Sequence, residues 1–369
     1  MTPPVAIWRS PVTGRVLTPD TPHSLAAPGE RWPVVDGIPY MRTDSEGLVA
    51  VALDHLDAGC PDDALVALLT DQDAWWTGPA TDLRELKRLV RERDTLSLRD
   101  AMALLRMGPV ADYFAHRWSD PTYLAGLALV EAHWQSPATA FELACGIGHY
   151  LRDLTTCGVA CLGADVVFAK CWLAKHWVAP LADYVVFDAA AGWPITGRRF
   201  DLVQCHDAFY FLPDQPRVAA RLREAVAPGG VLSVGHLHNA TVTGGAKGPA
   251  RPAADWAALF PDGVVYDERE LRRALLAGDA PVSTGWSDDA GIEAWSVVEG
   301  ATGPLRPLTG GLAMPPADAR LRPNPLLIDG VPHWPSDRYR DEYGDTCTWT
   351  TMAGDPVRTR RFIDLPVRW

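Results

Sequence analysis

The chain has 369 residues, 47% of them hydrophobic and 22% charged, which excludes an intrinsically disordered protein and allows one large domain with extensions or two domains. A formal net charge of −12 disfavours nucleic acid as a partner, since neutralising phosphates needs a basic surface. No apolar run approaches the eighteen residues that would predict a membrane span.

Residues 1–43 read as a small β module. Short β-rich runs, Trp8-Arg-Ser-Pro-Val-Thr-Gly-Arg-Val-Leu and Gly29-Glu-Arg-Trp-Pro-Val-Val-Asp-Gly-Ile-Pro, are punctuated by prolines and by Asp36-Gly37, a hairpin signal. The Pro-Val-Val-Asp-Gly-Ile-Pro stretch resembles the small zinc-ribbon family whose members partner transfer-RNA and release-factor methyltransferases. Ser10-Pro11 and Thr13-Gly14 stand where that family carries cysteines, and hydroxyls do not replace thiolates on zinc. The expectation is a degenerate, metal-free ribbon with an architectural role or a role in forming a homodimer. The chain does not open on a charged stretch followed by an apolar core, so no secretory signal is expected. Seven scattered cysteines without a Cys-x-x-Cys pair point to reduced thiols and a cytoplasmic protein. Scarce lysine beside abundant arginine, alanine, proline and glycine points to a GC-rich bacterial genome.

Residues 44–135 read as a helical lid or linker. Leu65, Leu68 and Leu69, then Leu83, Leu86, Leu89 and Val90, recur at helical spacing. Pro109 and Pro121 are placed to open two further helices, the second leading into the first core strand. Tyr113, His116 and Arg117 on this approach are candidates for holding a carboxylate or the substrate, Arg117 by its fork geometry.

Residues 136–300 carry the strongest pattern. Phe141-Glu-Leu-Ala-Cys-Gly-Ile-Gly is an apolar strand ending in an acid and entering a two-glycine turn. Asp165 closes the next apolar stretch, Asp188 follows Tyr184-Val-Val-Phe, and two more apolar runs begin at Phe200 and Leu222. Strand, glycine turn and helix, with an acid closing the following strand, describe a doubly wound nucleotide fold of class α/β. A dinucleotide fold would have a third glycine where this chain has Leu151, which argues against a bound pyrophosphate. Glycine at 146 and 148 permits close backbone approach by a nucleoside.

On these residues the chain resembles the class I S-adenosylmethionine-dependent methyltransferases over roughly residues 110–300. The resemblance implies a seven-stranded Rossmann-like sheet with S-adenosylmethionine as cofactor. Glu142, Ala144, Gly146 and Gly148 would line its methionine and ribose side, Asp165 with Val166 would hold the ribose hydroxyls, and Asp188 with Ala189 would meet the adenine. His149, just past the glycine turn, departs from the family's usual pattern and joins the cofactor candidates, with contact to substrate left open.

After the fifth strand, residues 239–265, with the Gly-rich stretch Thr243–Pro252, are expected as a mobile loop beside the cofactor, then a helix at 267–277. Strands near 280–286 and 292–298 would complete the sheet. Residues 301–369 form a Pro- and Trp-rich C-terminal extension without strong periodicity, expected to dock on the domain and close the substrate pocket.

The residues past the fourth strand lie at the sheet edge where ligands bind, which brings Cys205, His206, Asp207 and Tyr210 near the transferred methyl. His206 is the first candidate for general base or substrate positioner, because imidazole titrates near neutrality. Asp207 reads more readily as a helix cap. His236 and His238, two apart on a strand, share one side and are further catalytic candidates, as is Tyr210. The histidines are spaced too loosely to specify a metal site. The reading is a methyltransferase acting on an O or N atom of a small molecule, in keeping with natural-product biosynthesis. The alternatives are a catalytically silent scaffold of the same fold and a peptide, protein or RNA methyltransferase.

Overall fold

The computed structural model describes residues 8–72, 78–242, 248–301, 303–347 and 354–369. Five short strands come first: β1 Trp8–Arg9, β2 Val16–Thr21, β3 Ser24–Ala27, β4 Glu30–Val35 and β5 Ile38–Pro39. They pair in sequence order as an antiparallel meander. Asp36 and Gly37 both take positive φ (52° and 72°) between β4 and β5, the geometry a two-residue hairpin needs. Where the ribbon resemblance would place cysteines, the Ser10 and Thr13 hydroxyls donate to the Glu30 carboxylate. Ser10 Oγ also accepts from Val12 N and Thr13 N, so these hydrogen bonds tie the knuckle together. Leu17, Leu25, Trp32 and Met41 share a core with Phe141 and Phe187.

Six helices follow: α1 Glu46–Asp57, α2 Pro61–Leu68, α3 Leu83–Glu92, α4 Leu98–Leu104, α5 Pro109–His116 and α6 Pro121–Ala132. Local chemistry sets their starts. Asp82 caps α3, Ser97 and Asp100 form a capping box on α4, and proline opens α5 and α6 at the predicted positions. A 3₁₀ turn, Arg117–Ser119, joins α5 to α6. Helix α6 is buried almost all round, because it packs on the sheet and on a later helix instead of capping a cavity.

The sheet is built from β6 Thr139–Leu143, β7 Ala160–Asp165, β8 Asp183–Val186, β9 Phe200–His206, β10 Val226–His238, β11 Val264–Asp267 and β12 Ala294–Glu299. Helices α7 His149–Thr156, α8 Phe168–Leu173, α9 Gln215–Glu224, α10 Ala253–Leu259 and α11 Glu268–Ala277 connect them. The strand order is β11-β12-β10-β9-β6-β7-β8. All run parallel except β12, which is antiparallel to both β10 and β11. This is the doubly wound seven-stranded sheet expected from the sequence. One strand was misplaced: the sixth is Val264–Asp267, before α11, while 280–286 carries no strand. The apolar residues near 280–286 are interrupted by Pro281 and Gly285, and Val282 is 64% exposed, so that run has no face to bury. The predicted 239–265 loop is likewise corrected: its second half holds helix α10 and the first residues of β11, while 243–247 lie outside the described residues. Among the described residues no helix is long and apolar enough to cross a membrane.

The edge strand β8 is covered rather than exposed. Met41 N donates to Val186 O (2.7 Å), and Tyr40 bridges to Val186, so the N-terminal module caps an edge that would otherwise offer unpaired backbone groups.

Beyond β12 the chain holds little regular structure: two short pairs, β13 Arg322–Pro323 with β16 Phe362–Ile363 and β14 Leu327–Ile328 with β15 Val331–Pro332, and helix α12 Asp337–Tyr343. Specific bonds hold it on the domain. The Glu131 carboxylate on α6 accepts from Gly310 N (2.8 Å), Leu312 N (3.4 Å) and Ala313 N (3.0 Å). Trp369 Nε1 donates to Ala115 O (2.7 Å), and Arg368 Nη2 to His176 O (2.9 Å).

Candidate active site

A cavity of about 710 Å³ opens at the C-terminal ends of the parallel strands, at the switch point where β6 and β9 send their connections to opposite sides. It is lined by the ends of β6, β7, β9 and β10, by α5 and the start of α11, and by α12 of the tail.

One end is shaped by the glycine turn. Asp165, 5% exposed at the end of β7, accepts from Gly146 N (3.0 Å) through one carboxylate oxygen and from Val167 N (3.0 Å) through the other. Gly146 has φ 54°, and a Cβ there would lie 3.2 Å from the Phe114 ring, so only glycine leaves this floor clear. Glu142 is buried, and its Oε2 has no hydrogen-bond partner among the described residues. Burial pushes its carboxyl up to about 8. Val166, Asp188 and Ala189 line the same end.

The opposite end is organised around Asp207, in the left-handed region (φ 52°) just past β9. Its Oδ2 accepts from Tyr113 OH (2.7 Å) and lies 3.0 Å from Arg117 Nη1; its Oδ1 accepts from Tyr210 OH (3.2 Å). Burial would raise the Asp207 carboxyl, but Arg117 and His236 outweigh it and hold it below its ordinary value. The helix-cap reading of Asp207 is therefore corrected. The turn that follows is capped at Ala208 without a side-chain bond, and Asp207 instead anchors a buried ionic network. Arg117 Nη1 also reaches Asp120 Oδ2 (3.2 Å) and Thr122 Oγ1 (2.8 Å), and its guanidinium lies over the Tyr113 ring at 4.7 Å.

The histidines take different roles. His206 lines the cavity, yet its Nε2 sits 3.1 Å from Ser233 Oγ and its Nδ1 faces Gly235 and Gly126, where an added Cβ would approach to 2.3 and 2.9 Å. Burial lowers His206 to about 4. His149 Nε2 donates to Phe114 O (2.9 Å), pinning α5 to the glycine turn, and burial lowers it to about 3. His236 Nδ1 lies 2.8 Å from Glu268 Oε2, and Glu268 Oε1 accepts from Ser296 Oγ (2.8 Å). Burial would depress His236, but Glu268 and Asp207 raise it to about 9. His238 packs edge-on to Tyr210 (4.4 Å) and His236 (4.5 Å), and burial lowers it to about 4.

The structure brings Tyr113, Arg117, Glu142, Ala144, Gly146, His149, Asp165, Val166, Asp188, Ala189, His206, Tyr210, His236 and His238 to one cavity. Three predicted residues lie elsewhere. Strand alternation turns Cys205 away from Gln204 and His206 into the core on the other face of the sheet. Gly148 caps α7 with φ 83°, and its missing side chain leaves room for Ala174 and the Tyr184 hydroxyl instead of a ligand. His116 packs behind the wall, against Tyr339 and Trp369. Sequence reasoning missed Glu268, which opens α11 next to a predicted boundary, and Tyr339 and Tyr343, whose helix lies in an aperiodic tail. The i, i+4 spacing of those two tyrosines was the available signal.

Residues 141–234, which include this whole floor, match the family model described as a methyltransferase domain. Residues 141–234 thus carry a methyltransferase domain, consistent with the class I S-adenosylmethionine-dependent fold. The match lies outside residues 1–43, and the ribbon resemblance gains no support from it. The methyltransferase domain is similar in part to three solved structures. A TehB-like S-adenosylmethionine-dependent methyltransferase from Corynebacterium glutamicum is 20% identical, with 52% of this chain and 98% of that one covered and a TM-score of 0.37. An amino pentose methyltransferase from Micromonospora echinaspora is 23% identical over 34% of this chain and 55% of that one (TM-score 0.29). A Haemonchus contortus phosphoethanolamine N-methyltransferase is 17% identical over 50% and 49% (TM-score 0.37). Among curated proteins, no sequence matches the chain.

Proposed function

We propose that the protein transfers a methyl group from S-adenosylmethionine to an O or N atom of a small molecule held inside the cavity. One observation carries this reading: the glycine turn with Asp165 and the Asp207 network with its histidines open into a single 710 Å³ space, partly walled by α12. A cavity of that size suits small ligands rather than the surface of a polymer.

The residues present fit the methyl donor. Asp165 spends one bond per oxygen on backbone and keeps acceptor capacity for ribose hydroxyls. Glu142 offers an unpartnered oxygen beside the turn, and Asp188 with Ala189 lies where an adenine would reach. The donor supplies an electrophilic methyl on a sulfonium. The chain's own residues orient the acceptor in line with it, exclude water and manage the acceptor's proton. His206, His236, His238 and Tyr210 are the candidates for that last task.

Calorimetric titration with S-adenosylmethionine and S-adenosylhomocysteine, with NADH as control, tests the reading. Micromolar binding of both sulfur nucleosides, and release of S-adenosylhomocysteine with a small-molecule acceptor, is the expected result. Binding of NADH alone, or of none of the three, would overturn it.

A further inference from the structure

Two side chains from different elements meet on the acceptor side of the cavity. Glu268 is the first residue of α11, and His236 sits on a bulge of β10, where the register against β12 shifts between Val234 and Leu237. The bulge gives His236 φ 63°, a conformation costly for any residue with a Cβ, and swings its ring toward Glu268. Strain of this kind persists where the surroundings enforce it. The carboxylate engages Nδ1 at 2.8 Å and is itself fixed by Ser296, while Nε2 remains on the cavity side, 3.8 Å from Asp207 Oδ1. That separation is too long for a hydrogen bond.

We propose that Glu268 and His236 form a carboxylate–imidazole dyad whose Nε2 takes the proton of an aromatic hydroxyl, making the protein an O-methyltransferase of phenols or catechols. This rests on the methyltransferase reading above and adds the acceptor class. In the step, the acceptor O–H bond breaks and its proton moves to His236 Nε2. The oxygen lone pair forms the O–CH₃ bond as the methyl–sulfur bond breaks, and the sulfur keeps that electron pair as a neutral thioether. Glu268 is a positioning residue: it fixes the tautomer and balances the imidazolium.

The surroundings disfavour an aliphatic amine acceptor. An amine acceptor needs a free lone pair, but the carboxylates of Asp207, Glu268 and Glu293 all bear on this end of the cavity and favour its protonated form. A phenol suits the dyad better than an aliphatic alcohol, because its acidity, about that of a tyrosine side chain, lies near that of the imidazolium. The wall is aromatic as well: Tyr113 and Tyr343 stack at 6.2 Å, and Tyr210, Phe211 and Tyr339 line the same space. His236 is faced by Glu268 from α11, Asp207 from the end of β9, Tyr210 from the following turn, His238 from its own strand and Glu293 from the approach to β12.

The test uses the full-length protein saturated with S-adenosylhomocysteine, with 4-nitrocatechol as probe, because its absorption reports its ionisation. The expected result is a phenolate band in the ternary complex at a pH where the free probe is mostly protonated. His236→Gln should abolish the band, and Glu268→Gln should weaken it at least tenfold. With S-adenosylmethionine, kcat/KM for the probe should rise with pH to a plateau near 9 in the wild type. Glu268→Gln should move that limb down by more than one pH unit, which a merely structural role would not do. His236→Gln should lower kcat at least a hundredfold. A ternary complex without the phenolate band overturns the proposal, as does turnover of arylamines with a pH limb that both variants leave in place. Retained S-adenosylhomocysteine binding in either case would show that the methyltransferase reading survives its loss.

Discussion

Arg117 Nη1 stands 3.0 Å from Asp207 Oδ2, with the arginine side chain 5% and the aspartate side chain 10% exposed, and this pair ties the turn before α6 to the end of β9. Removing one partner of such a pair strands the other charge. Arg117→Met is therefore expected to cost about 3–5 kcal/mol of stability, read from urea midpoints. Adding Asp207→Asn to Arg117→Met should recover part of the loss, because one of the two stranded carboxylates is gone while Asp120 remains; an additive double variant would show that Arg117 and Asp207 do not act as a pair.

Ala144, Asp207 and His236 all hold positive φ at the ends of neighbouring strands around the cavity. At Ala144, φ is 56°, where an L side chain costs about 1 kcal/mol. Ala144→Gly should raise the free energy of unfolding by up to about 1 kcal/mol, with glycine's freer unfolded chain offsetting part of the gain. A lower thermal midpoint would show that the alanine methyl contributes more by packing than its backbone costs.

Asp165 accepts two backbone N–H groups while facing the cavity. Asp165→Asn turns one acceptor into a donor aimed at an N–H, which disturbs the glycine turn and removes a partner for a ribose hydroxyl. Affinity for S-adenosylhomocysteine should fall at least tenfold by calorimetry. Undiminished affinity would remove Asp165 from the ribose site.

The pH dependence of stability follows from histidines buried without charge. Burial holds His116, His149, His206 and His238 at about 4, 3, 4 and 4, against about 6.5 in an unfolded chain. The unfolded state therefore binds more protons below pH 6.5, so stability is full above that value and declines as pH falls toward 4. His236 works oppositely. Its raised value of about 9 adds stability that is complete below 6.5 and lost as pH rises through 9. Denaturant midpoints from pH 4 to 10 should pass through a maximum between 6.5 and 9. His116→Phe should flatten the acid side, because that ring packs behind the cavity wall without lining it.

The sheet was legible at those parallel strands that run into a marker physics requires. Glu142, Asp165 and Asp188 close three of them, and Gly146 opens the turn that lets a ligand approach. Where no such marker existed, the reading slipped. Val264–Asp267 is a four-residue strand with no glycine or acid spacing to set it apart, and an apolar run near 280–286 took its place. Cys205 was assigned by its place in the chain, although period-two alternation already separated it from His206. Glu268 and His236 could not be paired from sequence, since they lie 32 positions apart and meet only because α11 starts beside the end of β10. The tail hid Tyr339 and Tyr343 because its order comes from docking contacts such as those of Glu131, not from any internal period.

The docked tail also has a bearing on synthesis. Arg42 and Tyr343 line the same cavity from positions three hundred residues apart, and Glu131 waits for Gly310 and Ala313. A chain emerging from a ribosome at about 5–20 residues per second completes the glycine turn well before the acceptor wall exists. Between completion of the sheet at Glu299 and of the acceptor wall at Tyr343, an interval on the order of a few seconds, the acceptor side of the nascent domain still lies open to water.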